Sequence, residues 1–219
     1  MSNSMDKSTI DVARCVSLVA RLGVHPYPAR LGGCAAATEW VVNHKADLGA
    51  SNVAVSGESG GGNLALAVAL KAKKDRWADV LDGVYAMAPM IASPWNKPAD
   101  LPSQRENDGY LISTPLLAIM GAVYDPLGAH ADDPLCWRHR ADSELRGLPP
   151  HVVSVNELDP LRDEGPACQR RLVANGVSAV GRTVSGTVHG GDMYFRAAMP
   201  DVYVANVCDI HGFVSQPRQ

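Results

Sequence analysis

The sequence predicts an α/β fold, a mostly parallel sheet with helices on both faces, and three observations carry that expectation. Apolar runs of strand length alternate with longer segments of helical spacing. The run Val53-Ala54-Val55 passes through Gly57-Glu58-Ser59-Gly60-Gly61 directly into a helix-like segment. At 219 residues, with 46% hydrophobic and 20% charged content, the chain is long enough for one sizeable core, so residues 1–219 read as a single domain.

Taken in order, residues 33–48 place Ala37, Trp40, Val41 and Leu48 near helical spacing, with Gly49 ending the run and Gly32-Gly33 read as the helix start. Residues 53–56 read as a strand, 60–73 as a helix, and 83–88 as a strand stopped by Pro89. From 91 to 150 the texture changes, with Pro94, Pro98, Pro102, Pro126 and Pro134 breaking it up; Thr114-Pro115 starts a short helix over 116–123. This stretch reads as a cap-like insertion over the sheet, in which Trp95, Tyr110 and Trp137 serve either substrate contact or core packing. Regularity returns with a strand at 151–155, a helix at 166–174 closed by Asn175-Gly176, a strand at 178–184, and a helix at 201–210 ending at Gly212.

Bulk properties narrow the function. A net charge of -3 with no basic run argues against nucleic acid, because phosphate binding needs clustered Lys and Arg, and leaves small-molecule chemistry as the expectation. The five cysteines (Cys15, Cys34, Cys136, Cys168, Cys208) are scattered without Cys-x-x-Cys spacing and read as reduced thiols. Arg14 and Arg21 interrupt the apolar residues at the start, which spoils a signal-peptide core and a membrane span, so the expected location is the cytoplasm. His25, His44, His130, His139 and His151 show no metal-ligand spacing, and neither a metal nor a cofactor is expected.

Strand, tight turn and helix around Gly-x-Ser-x-Gly is the context of a serine nucleophile held at a strained elbow. Glycines flank the serine because the helix packs close to the strand. Ser59 then stands at a helix N-terminus, where the dipole and the Gly60 amide stabilise an oxyanion. A phosphate-binding loop is the competing reading, weakened because Asn63, not Lys, follows Gly62. A serine nucleophile also needs a base and an orienting carboxylate, in the chain order Ser, acid, His. The strand before Asn156 leads to Glu157, Asp159 and Asp163, and the strand before Ser185 leads to His189. Asp163 is explained as the N-cap of the next helix, and Glu157 and Asp159 both remain open as the acid. His211, near the end of the last helix, is a rival for His189, although a helix dipole alone favours a histidine there.

The runs Gly57-Glu-Ser-Gly-Gly-Gly-Asn-Leu-Ala65, Asp159-Pro-Leu-Arg-Asp-Glu-Gly165 and Val188-His189-Gly190 together resemble the hormone-sensitive-lipase family of α/β-hydrolase carboxylesterases. His25-Pro-Tyr-Pro28, Glu106-Asn-Asp-Gly-Tyr110 and Leu148-Pro-Pro150 extend the likeness over about residues 24–213. It implies an α/β-hydrolase fold and hydrolysis of small to medium esters or lactones, with Ser59 as nucleophile, Asp159 as acid, His189 as base and Gly60 as an oxyanion donor. Members of that family also carry an upstream His-Gly-Gly-Gly stretch, which this chain lacks, and only 24 residues precede His25. The expectation is therefore a chain without the first strands of the fold, with residues 12–22 as a remnant strand or replacement helix. Losing one oxyanion donor costs on the order of 10²–10³ in rate, so a weakly active or inactive binding protein is the alternative. The strand at 53–56 would also be left with a free apolar edge, predicting self-association.

Overall fold

The computed structural model describes residues 25–98, 101–140 and 144–215; the segment 12–22 lies outside them. Four strands, β1 (Ala54–Glu58), β2 (Gly83–Met87), β3 (His151–Leu158) and β4 (Ala179–Val188), form one sheet in the order β1-β2-β3-β4. All three pairings are parallel, with Ala54 opposite Gly83, Val84 opposite His151, and His151 opposite Ala179. The carboxyl ends of all four strands therefore point to one edge. Among the described residues β1 pairs only with β2, leaving its other side without a strand neighbour.

The connecting helices are α1 (Ala29–Asn43), α2 (Gly60–Lys74), α3 (Ser103–Glu106), α4 (Thr114–Tyr124), α5 (Glu164–Ala174), α6 (Gly191–Tyr194) and α7 (Pro200–Val214). The helix α2 is buried almost throughout, with Leu66 to Leu70 at 0% exposure, because its Ala-Leu-Val sequence is apolar on every side. On the other face, Ile210 and Phe213 of α7 pack with Tyr85, Met87 and Val152. Among the described residues no helix is long and apolar enough to cross a membrane.

Several boundaries differ from the sequence reading. The helix α1 starts at Ala29, not 33, because the turn Pro26-Tyr27-Pro28 nucleates it: Ala29 N donates to Pro26 O (3.0 Å) and Gly32 N to Pro28 O (3.0 Å). Gly32 and Gly33 are thus inside the helix. Its buried face is Leu31, Ala35, Thr38 and Val42, while Trp40 is exposed and stacks on His44 with ring centroids 4.4 Å apart. The last helix runs past Gly212 to Val214, because Phe213 is anchored edge-on to Tyr85. The strands β3 and β4 extend beyond the expected 155 and 184, kept in register past a bulge by the buried bond from Asn156 Nδ2 to Thr187 Oγ1 (2.8 Å). Within 91–150, α4 forms where Thr114-Pro115 predicts it, with Ser113 Oγ accepting from Leu116 N. Leu117, Tyr124, Cys136, Trp137, Leu145 and Leu148 join the same core cluster as α2, whereas Trp95 and Tyr110 are about half exposed.

Candidate active site

Ser59, Asp159 and His189 are each the first residue beyond the carboxyl end of a parallel strand, β1, β3 and β4 respectively. Ser59 has φ 57° and ψ -122°, a region costly for a residue with a side chain, on the order of 1–3 kcal/mol. Three backbone bonds hold it there: Ser59 N donates to Met87 O (2.9 Å), and Ser59 O accepts from Asn63 N (3.1 Å) and Met90 N (3.1 Å). The flanking Gly57 is needed because a Cβ would overlap the Gly61 carbonyl. Gly62 lets α2 approach β2, since its Cβ would lie 3.0 Å from Met87 O.

Asp159 is fully buried and both of its oxygens are engaged. Oδ1 accepts from Leu161 N (2.9 Å) and Oδ2 bonds to His189 Nδ1 (2.8 Å). Asn107 Nδ2 fixes the loop by donating to the carbonyls of Glu157 (3.0 Å) and Asp159 (3.1 Å). Burial alone lowers the pKa of the His189 imidazole, but the bond and charge of Asp159 outweigh it, with smaller help from Glu58 and Asp192, so the pKa is raised. With Nδ1 committed to the carboxylate, Nε2 is the nitrogen left to exchange a proton.

The rivals are occupied elsewhere. Glu157 accepts from Gly186 N (2.7 Å) at the exposed rim. Asp163 does not cap α5, contrary to expectation: its carboxylate instead accepts from Ser103 N (2.7 Å) and Arg162 Nε (2.9 Å), because the preceding arginine and the α3 terminus compete for it. His211 is exposed on α7, where Nε2 lies 3.5 Å from Ser215 Oγ.

The nucleophile and base loops touch through their neighbours: a Cβ at Gly190 would overlap Glu58 Oε1. Among the described residues, however, Ser59 Oγ has no hydrogen bond to the His189 ring. Such bonds are often long in enzymes without substrate and tighten on binding.

Sequence reasoning missed three supports. Glu58 is half-buried, its pKa raised by desolvation against its interaction with Tyr194 and the attraction of His189. Asn156 braces the His189 loop, with Oδ1 accepting from Gly190 N (3.0 Å) and Nδ2 donating to Asp192 Oδ1 (2.9 Å); Asp192 Oδ2 in turn accepts from Asn206 Nδ2 (2.8 Å). Glu164 bonds the backbone just after β2. A polar residue at a buried strand position, as at Asn156, is a signal in the sequence for such a brace.

The family described as the alpha/beta hydrolase fold matches residues 17–193, a span that contains all three residues. The chain belongs to that family. Among solved structures, this α/β hydrolase is 48% identical, with a TM-score of 0.85, to brefeldin A esterase, described as a bacterial homologue of human hormone sensitive lipase. That match covers 90% of this chain and 56% of the other. Esterase Est22 is 41% identical, with a TM-score of 0.81, over 89% of this chain and 57% of its own. Among curated proteins of Mycobacterium tuberculosis, carboxylesterase NlhH is 33% identical over 76% of this chain and 52% of its length. Esterase LipI of the same organism is 31% identical over 76% and 51%. The resemblance to hormone-sensitive-lipase-type esterases is borne out, and the chain spans about half the length of the curated relatives it matches.

Proposed function

We propose that this α/β hydrolase is a serine carboxylesterase acting on small to medium carboxylic esters or lactones. The observation that carries the reading is the buried 2.8 Å bond between His189 Nδ1 and Asp159 Oδ2 at the strand edge from which Ser59 also emerges. Ser59 Oγ attacks the ester carbonyl carbon while His189 Nε2 takes its proton. The resulting oxyanion is held by the Gly60 N–H at the start of α2. Collapse expels the alcohol, which receives the proton from His189, and leaves an acyl group on Ser59. His189 then deprotonates a water that attacks this acyl group, releasing the acid and restoring the hydroxyl. Asp159 keeps its charge throughout and stabilises the imidazolium.

A fluorophosphonate probe tests the reading: the expected result is labelling of the wild-type chain and none of Ser59→Ala. Equal labelling of both, or none of either, sinks it. One observation favours a second reading, a binding protein with weak or no turnover: the Ser59 hydroxyl is not hydrogen-bonded to His189. Absence of labelling in a folded protein would select it.

None of the four described cysteines, Cys34, Cys136, Cys168 and Cys208, is in a disulfide, which fits action in a reducing cytoplasm. Self-association through the side of β1 that has no strand neighbour among the described residues remains the expected assembly, and a sedimentation profile that stays monomeric across concentrations would refute it.

A further inference from the structure

Glu58 is the last residue of β1 and immediately precedes Ser59. Its carboxylate reaches across to the loop of the base: a Cβ on Gly190, the residue after His189, would overlap both Glu58 Oε1 and the Tyr194 ring. Gly190 has φ 63°, in the left-handed region, so neither its backbone nor the space around it admits a side chain. Glu58 Oε1 is buried and has no hydrogen-bond partner among the described residues, so it rests against Gly190 without a donor. An ionised carboxylate with an unmet buried oxygen is costly, and a nearby cation relieves that cost.

The groups that act on Glu58 identify that cation. Opposite it β2 presents Met87, and α2 begins with Gly60-Gly61-Gly62, none of them charged. From α6 and the turn before it come Tyr194, His189 and Asp192, and from the loop after β3 comes Asp159. Burial first and Glu58 second push the Tyr194 phenol up to about 12, so it keeps its proton and stays neutral. The two aspartates repel Glu58, which leaves His189 as the one group of this set able to bear a positive charge. The attraction is mutual, since Glu58 adds to Asp159 in raising the imidazole pKa against its burial. Asp159 is bonded to Nδ1, whereas Glu58 acts through space and through Gly190.

We propose that Glu58 is a positioning residue for the base: its carboxylate holds the His189–Gly190 turn against the nucleophile strand and supplies a second negative charge to the imidazolium formed when Ser59 gives up its proton. The assignment rests on the esterase reading, but part of its test does not. Glu58→Gln keeps the size and the contact with Gly190 and removes only the charge. Titration of the His189 ring by NMR in both proteins should show its pKa lower in the variant, by roughly half a pH unit, because the imidazolium loses one of its two anions. Turnover of p-nitrophenyl acetate should follow. The acidic limb of kcat/KM moves to lower pH by the same amount, and kcat on the plateau falls about threefold, the same half unit expressed as a rate. A neighbour that merely filled space would move neither the titration nor the limb. Glu58→Ala, which also takes away the contact with Gly190, should lower kcat further than the glutamine variant does; equal rates in the two overturn the holding role. An unmoved or raised His189 pKa in Glu58→Gln overturns the proposal, as does a limb that stays put while the enzyme remains active. A lowered His189 pKa in a chain that fluorophosphonate fails to label would instead support the coupling while overturning the esterase reading.

Discussion

Glu164→Gln should stabilise this protein at pH 8 and leave it nearly unchanged at pH 4. Glu164 is 1% exposed, and its Oε2 accepts from both Ile91 N (2.7 Å) and Ala92 N (2.8 Å). Burial, the largest influence, raises its pKa from 4.5 to about 7 despite those two bonds. The folded carboxyl therefore keeps its proton through a range in which the unfolded chain has released it. Its contribution is fully present below pH 4.5 and is lost as pH rises through about 7; at 1.36 kcal/mol per unit the loss is about 3 kcal/mol. Both backbone bonds go to a single oxygen, so glutamine keeps that acceptor and cannot ionise. Urea unfolding of both proteins from pH 4 to pH 8 measures the difference, which should grow with pH and level off above 7. A difference that stays flat across that range refutes the reasoning. Glu164→Ala is the contrasting change: it strands two buried N–H groups at about 1–3 kcal/mol each. It also loosens the segment whose Met90 N bonds to Ser59 O, so activity should fall as well.

Asp159→Asn should lower kcat on a p-nitrophenyl ester by on the order of 10⁴, by favouring the wrong imidazole tautomer. Because the pKa of His189 is raised above 6.5, wild-type activity should climb with pH through a value above that. The residual activity of the Asn variant should climb at lower pH, and a pH–rate profile with an unmoved acidic limb would count against Asp159. Gly57→Ala would push a methyl group into the Gly61 carbonyl at the start of α2. It should cost about 1–3 kcal/mol or more, together with probe labelling at Ser59; an unaltered melting temperature and full labelling would show that the close approach is not required.

The strand ends that carry Ser59, the acidic group from Glu157 to Asp163, and His189 were legible because each sits next to local signals, a glycine elbow or the end of an apolar run, that need no distant partner to be read. The helix boundaries were less so. Trp40 fits the helical period of 33–48, yet the core lies against Leu31, Ala35, Thr38 and Val42, because the orientation of α1 is set by its packing on α2 and not by its own pattern. Asp163 has the sequence position of a cap, but Ser103 and Arg162 bind it in preference, and Ser103 is sixty positions away.

The sequence by itself determined the alternation of strands and helices, the elbow at Ser59 and the candidates for acid and base, since these follow from backbone sterics and from periodicity over neighbouring residues. Only the tertiary structure pairs Asp159, and not Glu157, with His189, and leaves His211 on the exposed side of the last helix. The reason is that burial and hydrogen-bond partnership between residues far apart in the chain exist only once the sheet is assembled; the 2.8 Å bond from His189 to Asp159 is made there and nowhere earlier.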